Sequence, residues 1–386
     1  MNLELRRDIP DDAVYDVVIL GAGVAGAAAA ILAGRQSLKT LLVESKSFPR
    51  EKVCGGCLNL RSQGSLERLG VLHRLQQAGA VRIDSMRLQI RNTRAQWRVP
   101  VMMSVRRSTL DAILVEQAVA EGVAFIDRTQ GTLQPTGTSN LGFRSVRLQS
   151  LGDVQVVQAR CVLNASGLTR SSLGHENNWP AAVETNSRVG VQTLIPCNTA
   201  GEFADGRLHM LVGTRGYVGL CKTDGDWVDI AAAIDPASIQ RFGGIRQVVQ
   251  GILTECGIQS PVLPTQLQWL ATPALTRSSA RVADHRTFLL GDAIGYVEPF
   301  TGEGMSWALA SAESVMPIVA EIIASEWDDS LIARWSEWTH RQRTRKHKTC
   351  RWIAGKIRWP RSAAVVLRAC DWLMPLRASF LRKTAQ

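Results

Sequence analysis

The sequence predicts an α/β fold in which a Rossmann-type nucleotide-binding domain is interleaved with an antiparallel-sheet substrate domain and followed by a helical C-terminal tail. Three observations predict it. An apolar, β-branched run at residues 15–20 (YDVVIL) leads straight into GAGVAG and a small-residue helix. A second apolar strand, in RTFLLGDAIGYVEPFTGEGMSW, ends in a Gly-Asp turn far along the chain. Between them lie segments with the alternation and turn signals of antiparallel strands.

The first run reads as a buried parallel strand. Gly21, Gly23 and Gly26 follow it at the spacing of a dinucleotide fingerprint. Gly21 serves the tight turn, Gly23 lets the backbone approach a pyrophosphate, and Gly26 allows close strand–helix packing. The helix start, AAAAILAGRQ, turns unpaired N–H groups toward phosphate charge. KTLLVE supplies the next strand, ending in Glu44, placed to accept hydrogen bonds from ribose hydroxyls. Strand, glycines, helix, strand and acid in register make a chance glycine turn improbable. This motif serves FAD and NAD equally.

The second glycine-rich turn separates them. Asp292, after an apolar strand, is placed for a polyhydroxyl chain such as ribityl. The stretch Pro299 to Gly304, with Gly302, opens a helix and presents N–H groups to a polarised ring edge. With Gly291, Asp292, Ala293, Gly295, Pro299, Thr301, Gly302, Glu303 and Gly304 in order, the chain resembles the geranylgeranyl reductase family of FAD-dependent oxidoreductases, relatives of the aromatic-ring hydroxylases and flavin-dependent halogenases. FPREKVCGG, with Phe48, Pro49, Arg50, Lys52, Cys54 and Gly55, is similar to that family's loop after the second strand, and Arg107 with Asp111 to its next block. The resemblance spans roughly residues 14–325. It implies FAD as cofactor, Arg107 on the flavin, and Cys54 beside the isoalloxazine on the substrate face, where a thiol gates substrate or donates a proton. The alternative for Cys54 is a buried bystander, and for Arg107 a surface residue near its helix start. Cys54 and Cys57 also form a C-x-x-C, the spacing of a redox pair, although Gly55-Gly56 between them reads as a turn.

One departure stands out. Where the hydroxylases carry Asp-Gly, RCVLNASGLTRSSLG has Ser166 before Gly167. No second dinucleotide fingerprint follows, so NAD(P)H is expected as a transient electron donor without a Rossmann unit of its own. The expected reaction is hydride exchange on a lipophilic substrate of isoprenoid or polyketide origin. A monooxygenase of phenolic substrates and a non-catalytic flavin-binding, membrane-recruited module are the alternatives. A halogenase is disfavoured, since its family needs an active-site lysine and there is none between Lys52 and Lys222.

The nucleotide domain is expected at residues 14–80, 101–174 and 280–325, and the substrate domain at 81–100 and 175–279. SMRLQIRNTRAQWRVP and the hairpin RGYVGLCKTDGDWVDIAAAI anchor the second. Residues 326–386 form a basic, Trp-rich region: from Leu331 onward there are ten Arg and four Lys against Glu337 and Asp371, in a chain of net charge +11. The body is thus near neutral, which argues against a nucleic-acid partner. Basic side chains with Trp327, Trp335, Trp338, Trp352 and Trp359 suit an anionic membrane surface, or helices docked on the nucleotide domain. No apolar h-region opens the chain and no stretch reads as a membrane span, so a cytoplasmic protein, peripheral at the inner face of a membrane, is expected. The eight cysteines are then reduced thiols. The six histidines show no metal-ligand spacing, and no metal is expected.

Overall fold

The computed structural model describes residues 10, 13–135, 142–174, 179–298 and 302–357, with side chains as far as residue 344. Three sheets organise it. The first contains β1 (Val14–Leu20), β2 (Thr40–Val43), β6 (Ala124–Ile126), β7 (Gln130–Leu133), β8 (Arg144–Gln149), β9 (Val154–Asn164), β17 (Ala283–Asp284) and β18 (Thr287–Leu289). Its order is β17-β18-β9-β1-β2-β6, parallel from β18 to β6, with the β7–β8 hairpin joined to β9.

The sheet needs helices on one face, and α1 (Val24–Arg35) is the innermost of them. Ala27, Ala28, Ala29 and Ala30 are all fully buried, because α4 (Arg107–Ala120) and α7 (Gly304–Ala324) flank α1 in the same core. A helix enclosed on every side has no polar face, and small side chains let its neighbours approach. The other face of the sheet is covered by Leu133, Val146 and Leu148 of the hairpin, packed on Val18, Leu20, Leu41 and Val43.

The second, roof sheet is made of β3 (Cys57–Leu58), β4 (Val81–Ile90), β5 (Thr93–Ser104), β11 (Val189–Pro196), β12 (Leu208–Gly213), β13 (Gly216–Thr223), β14 (Trp227–Ile234) and β15 (Leu270–Ala274). Its order is β15-β11-β14-β13-β12-β4-β5-β3, antiparallel except for β12 beside β4. The hairpin read from RGYVGLCKTDGDWVDIAAAI is β13–β14, turning at Asp224–Asp226. β5 runs on to Ser104 and β3 joins the same sheet, so Cys57–Leu58 and residues 101–104 belong to the roof and not to the nucleotide domain as the sequence suggested. A small third sheet, β10 (Ala181–Val183), β16 (Arg277–Ser279) and β19 (Gly295–Tyr296), stitches the halves together.

On the outer face of the roof, α6 (Ile245–Glu255), preceded by α5 (Pro236–Arg241), packs Val248, Val249, Ile252 and Leu253 on Val191, Val218, Leu220, Val228, Ile230 and Ile234. The short helices α2 (Leu60–Arg68) and α3 (Leu72–Gln77) lead from the nucleotide domain into the roof, and α8 (Ser330–Ile357) closes the described chain.

Two expectations change here. By length and composition α7 is apolar enough to cross a bilayer, contrary to the sequence reading, yet Met305, Leu309, Ala312, Val315, Val319 and Ile322 are buried in the core. In α8, Trp335 is 0% exposed, stacks on Trp338 with centroids 4.7 Å apart, and donates its indole N–H to Leu289 O at 3.2 Å. Trp327 packs edge-on against His285. These three indoles dock the helix on the sheet end. The side chains of Trp352 and Trp359 lie outside the described residues.

Candidate cofactor and substrate site

The site begins at the β1–α1 turn. Gly21 has φ +107°, and a methyl group added there would sit 2.5 Å from Ala165 O. One added at Gly26 would sit 1.8 Å from Gly21 O, which forces glycine at the closest strand–helix approach. Gly23 caps α1 with no side-chain hydrogen bond, so the first-turn N–H groups are left to a ligand.

Glu44 leaves the end of β2 and folds back on this turn. It accepts from Ala22 N at 3.2 Å, Lys46 N at 3.1 Å and Arg50 Nη2 at 2.7 Å. Burial alone would raise its pKa, but the Arg50 charge and these donors hold it below the ordinary value.

Three cations crowd the same turn. A methyl group at Gly23 would lie 3.5 Å from Arg107 Nη2, 3.7 Å from Arg50 Nη2 and 3.8 Å from Lys52 Nζ. Arg107, the first residue of α4, is 6% exposed and grips Asp111 through two bonds of 3.0 and 2.8 Å. Asp111 also takes Arg50 Nη1 at 2.9 Å, so Arg50 bridges Asp111 and Glu44. Despite its burial, the Asp111 carboxylate keeps Arg107 firmly charged. Lys52 has its pKa lowered, first by burial and then by Arg107, with Asp292 opposing. A methyl group at Gly167 would be only 2.9 Å from Lys52 Nζ. This lysine therefore spans from the first turn to the Ser166–Gly167 turn.

The distant Gly-Asp turn closes the ring. Gly291, at φ +55°, donates its N–H to Ser311 Oγ at 2.9 Å, and a methyl group there would sit 3.0 Å from Ala25 Cβ. Such an approach to α1 sets Asp292 beside the cations. Burial raises the Asp292 pKa while Lys52 and Arg107 pull it back. Gly302, at φ +69°, faces Cys57, and Gly304 starts α7 against the Tyr296 ring. Pro299, together with Thr301, lies outside the described residues.

The donor set fits a flavin dinucleotide. Uncapped helix N–H groups and three cations around a side-chain-free Gly23 suit a pyrophosphate, Glu44 a ribose, and Asp292 a hydroxylated chain. Among the described residues no group of His, Cys, Asp and Glu has the makings of a metal site.

Cys54 lies in the loop that crosses from this cradle to the roof. Its backbone N–H donates to Gln192 Oε1 at 3.2 Å, and Gln192 Nε2 donates to Asp229 Oδ2 at 2.9 Å. Burial raises the thiol pKa, and Arg107 draws it back. Cys57 does not turn to Cys54. Its thiol contacts that of Cys221 in β13, a contact that with burial raises its pKa well above the ordinary value. The structure thus gives the C-x-x-C no internal pair.

The roof face above this loop is set by register. Gly190, Gln192 and Leu194 of β11 lie opposite Ala233, Ala231 and Asp229 of β14, which lie opposite Tyr217, Gly219 and Cys221 of β13. The alternating residues face α6, so this second face turns toward the Cys54 loop, and a methyl group at Gly55 would touch Ala231. Arg50, Lys52, Gln192, Asp229 and Cys221 were not singled out as site residues from the sequence. An available signal was Asp229 itself, an acid interrupting the apolar strand WVDIAAAI.

Residues 14–347 match the model of a family described as an FAD binding domain. The chain belongs to that family. It is an FAD-dependent oxidoreductase with a Rossmann-type FAD domain. Menaquinone reductase of Mycolicibacterium smegmatis is 25% identical over 90% of this chain and 85% of its own. Digeranylgeranylglycerophospholipid reductase 3 of Methanosphaera stadtmanae is 22% identical over 86% and 84%. Conditioned medium factor receptor 1 of Dictyostelium discoideum is 23% identical over 78% of this chain, which spans 62% of that longer protein. Among solved structures, the flavin-dependent brominase Bmp2 has a TM-score of 0.75 at 17% identity, covering 97% of this chain and 94% of its own. Pseudomonas aeruginosa PqsL, solved with 2-aminobenzoylacetate, has a TM-score of 0.73 at 16% identity, covering 92% and 100%. These structures share the fold.

Proposed function

We propose that this flavoprotein is a reductase of a lipophilic, isoprenoid-bearing molecule, with NAD(P)H visiting as electron donor. The observation that carries the reading is the inner face of the roof. Gly190, Gly219, Ala231 and Ala233 cluster in register there, flanked by Tyr217 and Met210. Of these, Gly219 and Ala231 are half-buried, and with Met210, Tyr217 and Ala233 they make this stretch of the sheet apolar, as a site for a long hydrocarbon requires. The names of the two reductase relatives, one for a quinone and one for a prenylated lipid, support the same substrate class.

FAD, when bound, supplies the hydride chemistry at its N5. The chain supplies the rest. Arg50, Lys52, Arg107 and Glu44 hold the nucleotide and Asp292 its linker, while the roof excludes water. Cys54 sits where cradle and roof meet, a gate for substrate. The basic region from Leu331 onward supports attachment to an anionic membrane surface, from which such substrates are drawn.

The test is anaerobic. The holoprotein is reduced, then mixed with menaquinone, with geranylgeranylated lipid, or with oxygen and a phenol. Fast flavin reoxidation by a prenylated compound, giving its reduced form, is expected. A hydroxylated phenol formed with oxygen consumption, and no reoxidation by the lipids, overturns the reading in favour of a monooxygenase.

A further inference from the structure

The β13–β14 hairpin carries two buried acids with opposite surroundings. Asp224 is fully employed: it accepts from Arg106 N and Thr109 Oγ1 at 2.6 Å, from Thr223 Oγ1 at 2.9 Å and from Arg106 Nε at 3.1 Å. That is a structural carboxylate tying the hairpin turn to the start of α4. Asp229 is different. It is 2% exposed and is the one acid among the strand residues of β11, β12, β13, β14 and β15. Oδ2 accepts from Gln192 Nε2, while Oδ1 is buried with no hydrogen-bond partner. No cation bonds it.

Its position follows from the pleat. Val228 and Ile230, on either side of it, enter the core against α6, so Asp229 faces the other way, toward the Cys54 loop. A methyl group at Gly56 would lie 3.5 Å from Asp229 Oδ2 and 3.6 Å from Ser104 Oγ. Ser104 Oγ is likewise buried and unpartnered, and so is Glu51 Oε2 at the other end of the same loop. Three orphaned polar oxygens therefore surround the segment that carries Cys54. Buried polar groups are nearly always satisfied, and exceptions mark functional sites.

Resting on the reductase reading, we propose that Asp229 is the proton donor of the substrate site. Reduction of a substrate double bond adds a hydride, which the reduced flavin supplies, and a proton at the other atom. The Asp229 O–H bond breaks, the new bond to the substrate atom forms with that proton, and a carboxylate remains. The carboxylate regains its proton from solvent once the product has left.

The electrostatics agree with the geometry. Burial holds Asp229 protonated well above the ordinary carboxyl range; Gln192 opposes this, and the negative charges of Glu51 and Asp224 add to it. The other ionisable groups against it are thiols, Cys54 and Cys57 in the loop and Cys221 beside it in β13, with Arg106 committed to Asp224. A buried carboxyl group that holds its proton above the ordinary range is one that has a proton to give.

Asp229→Asn keeps the shape and can still accept from Gln192. Its FAD affinity is expected to match the wild type, and its melting temperature to be no lower. Infrared spectra of the FAD-loaded protein at pH ~6, about two units above the ordinary Asp value, are expected to show a buried protonated-carboxyl band that the substitution removes. In anaerobic reoxidation by menaquinone, the variant is expected to slow about 10²–10⁴-fold, with a solvent deuterium isotope effect in the wild type. Flavin reduction by dithionite is expected to be unchanged, and Asp229→Glu to restore part of the rate. If the wild type is reoxidised by menaquinone and Asp229→Asn is equally fast, or if the infrared band is absent, the donor assignment falls and the reductase reading stands. If no prenylated compound reoxidises the wild type, both fall.

Discussion

Gly26 gives the sharpest test of the turn. A methyl group there would sit 1.8 Å from Gly21 O, 3.1 Å from Gly21 C and 3.2 Å from Ala165 Cβ. The nearest neighbour is backbone, so Gly26→Ala is absorbed only if α1 moves off β1 by about an ångström at the turn. Overpacking of this kind costs ~1–3 kcal/mol. The displacement also misaligns the first-turn N–H groups with the pyrophosphate; a hydrogen bond to a charged group contributes roughly 1.5–3 kcal/mol, so losing one weakens FAD binding about 10–100-fold. Isothermal titration of FAD into the apoprotein measures the affinity, and urea unfolding measures the stability. Gly64→Ala is the internal control. Gly64 lies inside α2 with only the flexible Arg68 guanidinium within 3.6 Å, so the same chemical change is expected to stabilise by ~0.5–1 kcal/mol and leave FAD affinity alone. A Gly26→Ala protein that binds FAD within twofold of the wild type and melts with it would refute the close-approach argument.

Four further outcomes follow from the same geometry. Trp335→Ala removes a fully buried indole with its stacking partner and its bond to Leu289 O, and urea unfolding is expected to lose ~3–5 kcal/mol; a loss under about 1 kcal/mol would mean that α8 is not docked as described. Glu44→Gln weakens the acceptor for ribose, and FAD titration should give an affinity about 10-fold lower. The pH profiles of stability run in opposite senses. Glu44 has a depressed folded pKa, so its contribution is full above the unfolded value and is lost as pH falls; Asp229 has a raised one, so its contribution is full below the unfolded value and is lost as pH rises toward the folded value. Urea midpoints against pH for Glu44→Gln should lack the loss on falling pH, and those for Asp229→Asn the loss that sets in as pH rises above the ordinary carboxyl value; parallel profiles would contradict both assignments. Mild diamide oxidation followed by peptide mapping should link Cys57 to Cys221 and not to Cys54, because those two thiols touch; a Cys54–Cys57 link would revise the loop.

The sequence made the nucleotide half legible because its chemistry is local. YDVVIL, GAGVAG, the alanine helix and Glu44 are contiguous, and each step has a steric or electrostatic reason that short-range spacing records. Gly291–Asp292 was legible for the same reason, as was the β13–β14 hairpin around its Asp-Gly-Asp turn. What stayed hidden depends on contacts between distant parts of the chain. Gln192 reaches Cys54 across 138 positions, and β4 lies parallel to β12 although neither run announces a partner. Cys57 invited pairing with Cys54 by spacing alone, but β3 turns its thiol toward β13. The reach of β5 to Ser104 was missed because a strand with alternating burial looks the same whether or not its last turn belongs to the next domain. The Trp-rich helix read equally as interfacial or docked, and only the packing of Trp335 on Leu289 and Phe288 decides it for that part.

The most direct measurement of the central claim is stoichiometric flavin uptake by the refolded apoprotein. One FAD per chain is expected, with quenched flavin fluorescence and a resolved visible spectrum, and Arg107→Ala should bind it at least ten times more weakly. A correctly folded chain that takes up no FAD, or that binds it with the same affinity when Arg107 is removed, would contradict the assignment of this cradle.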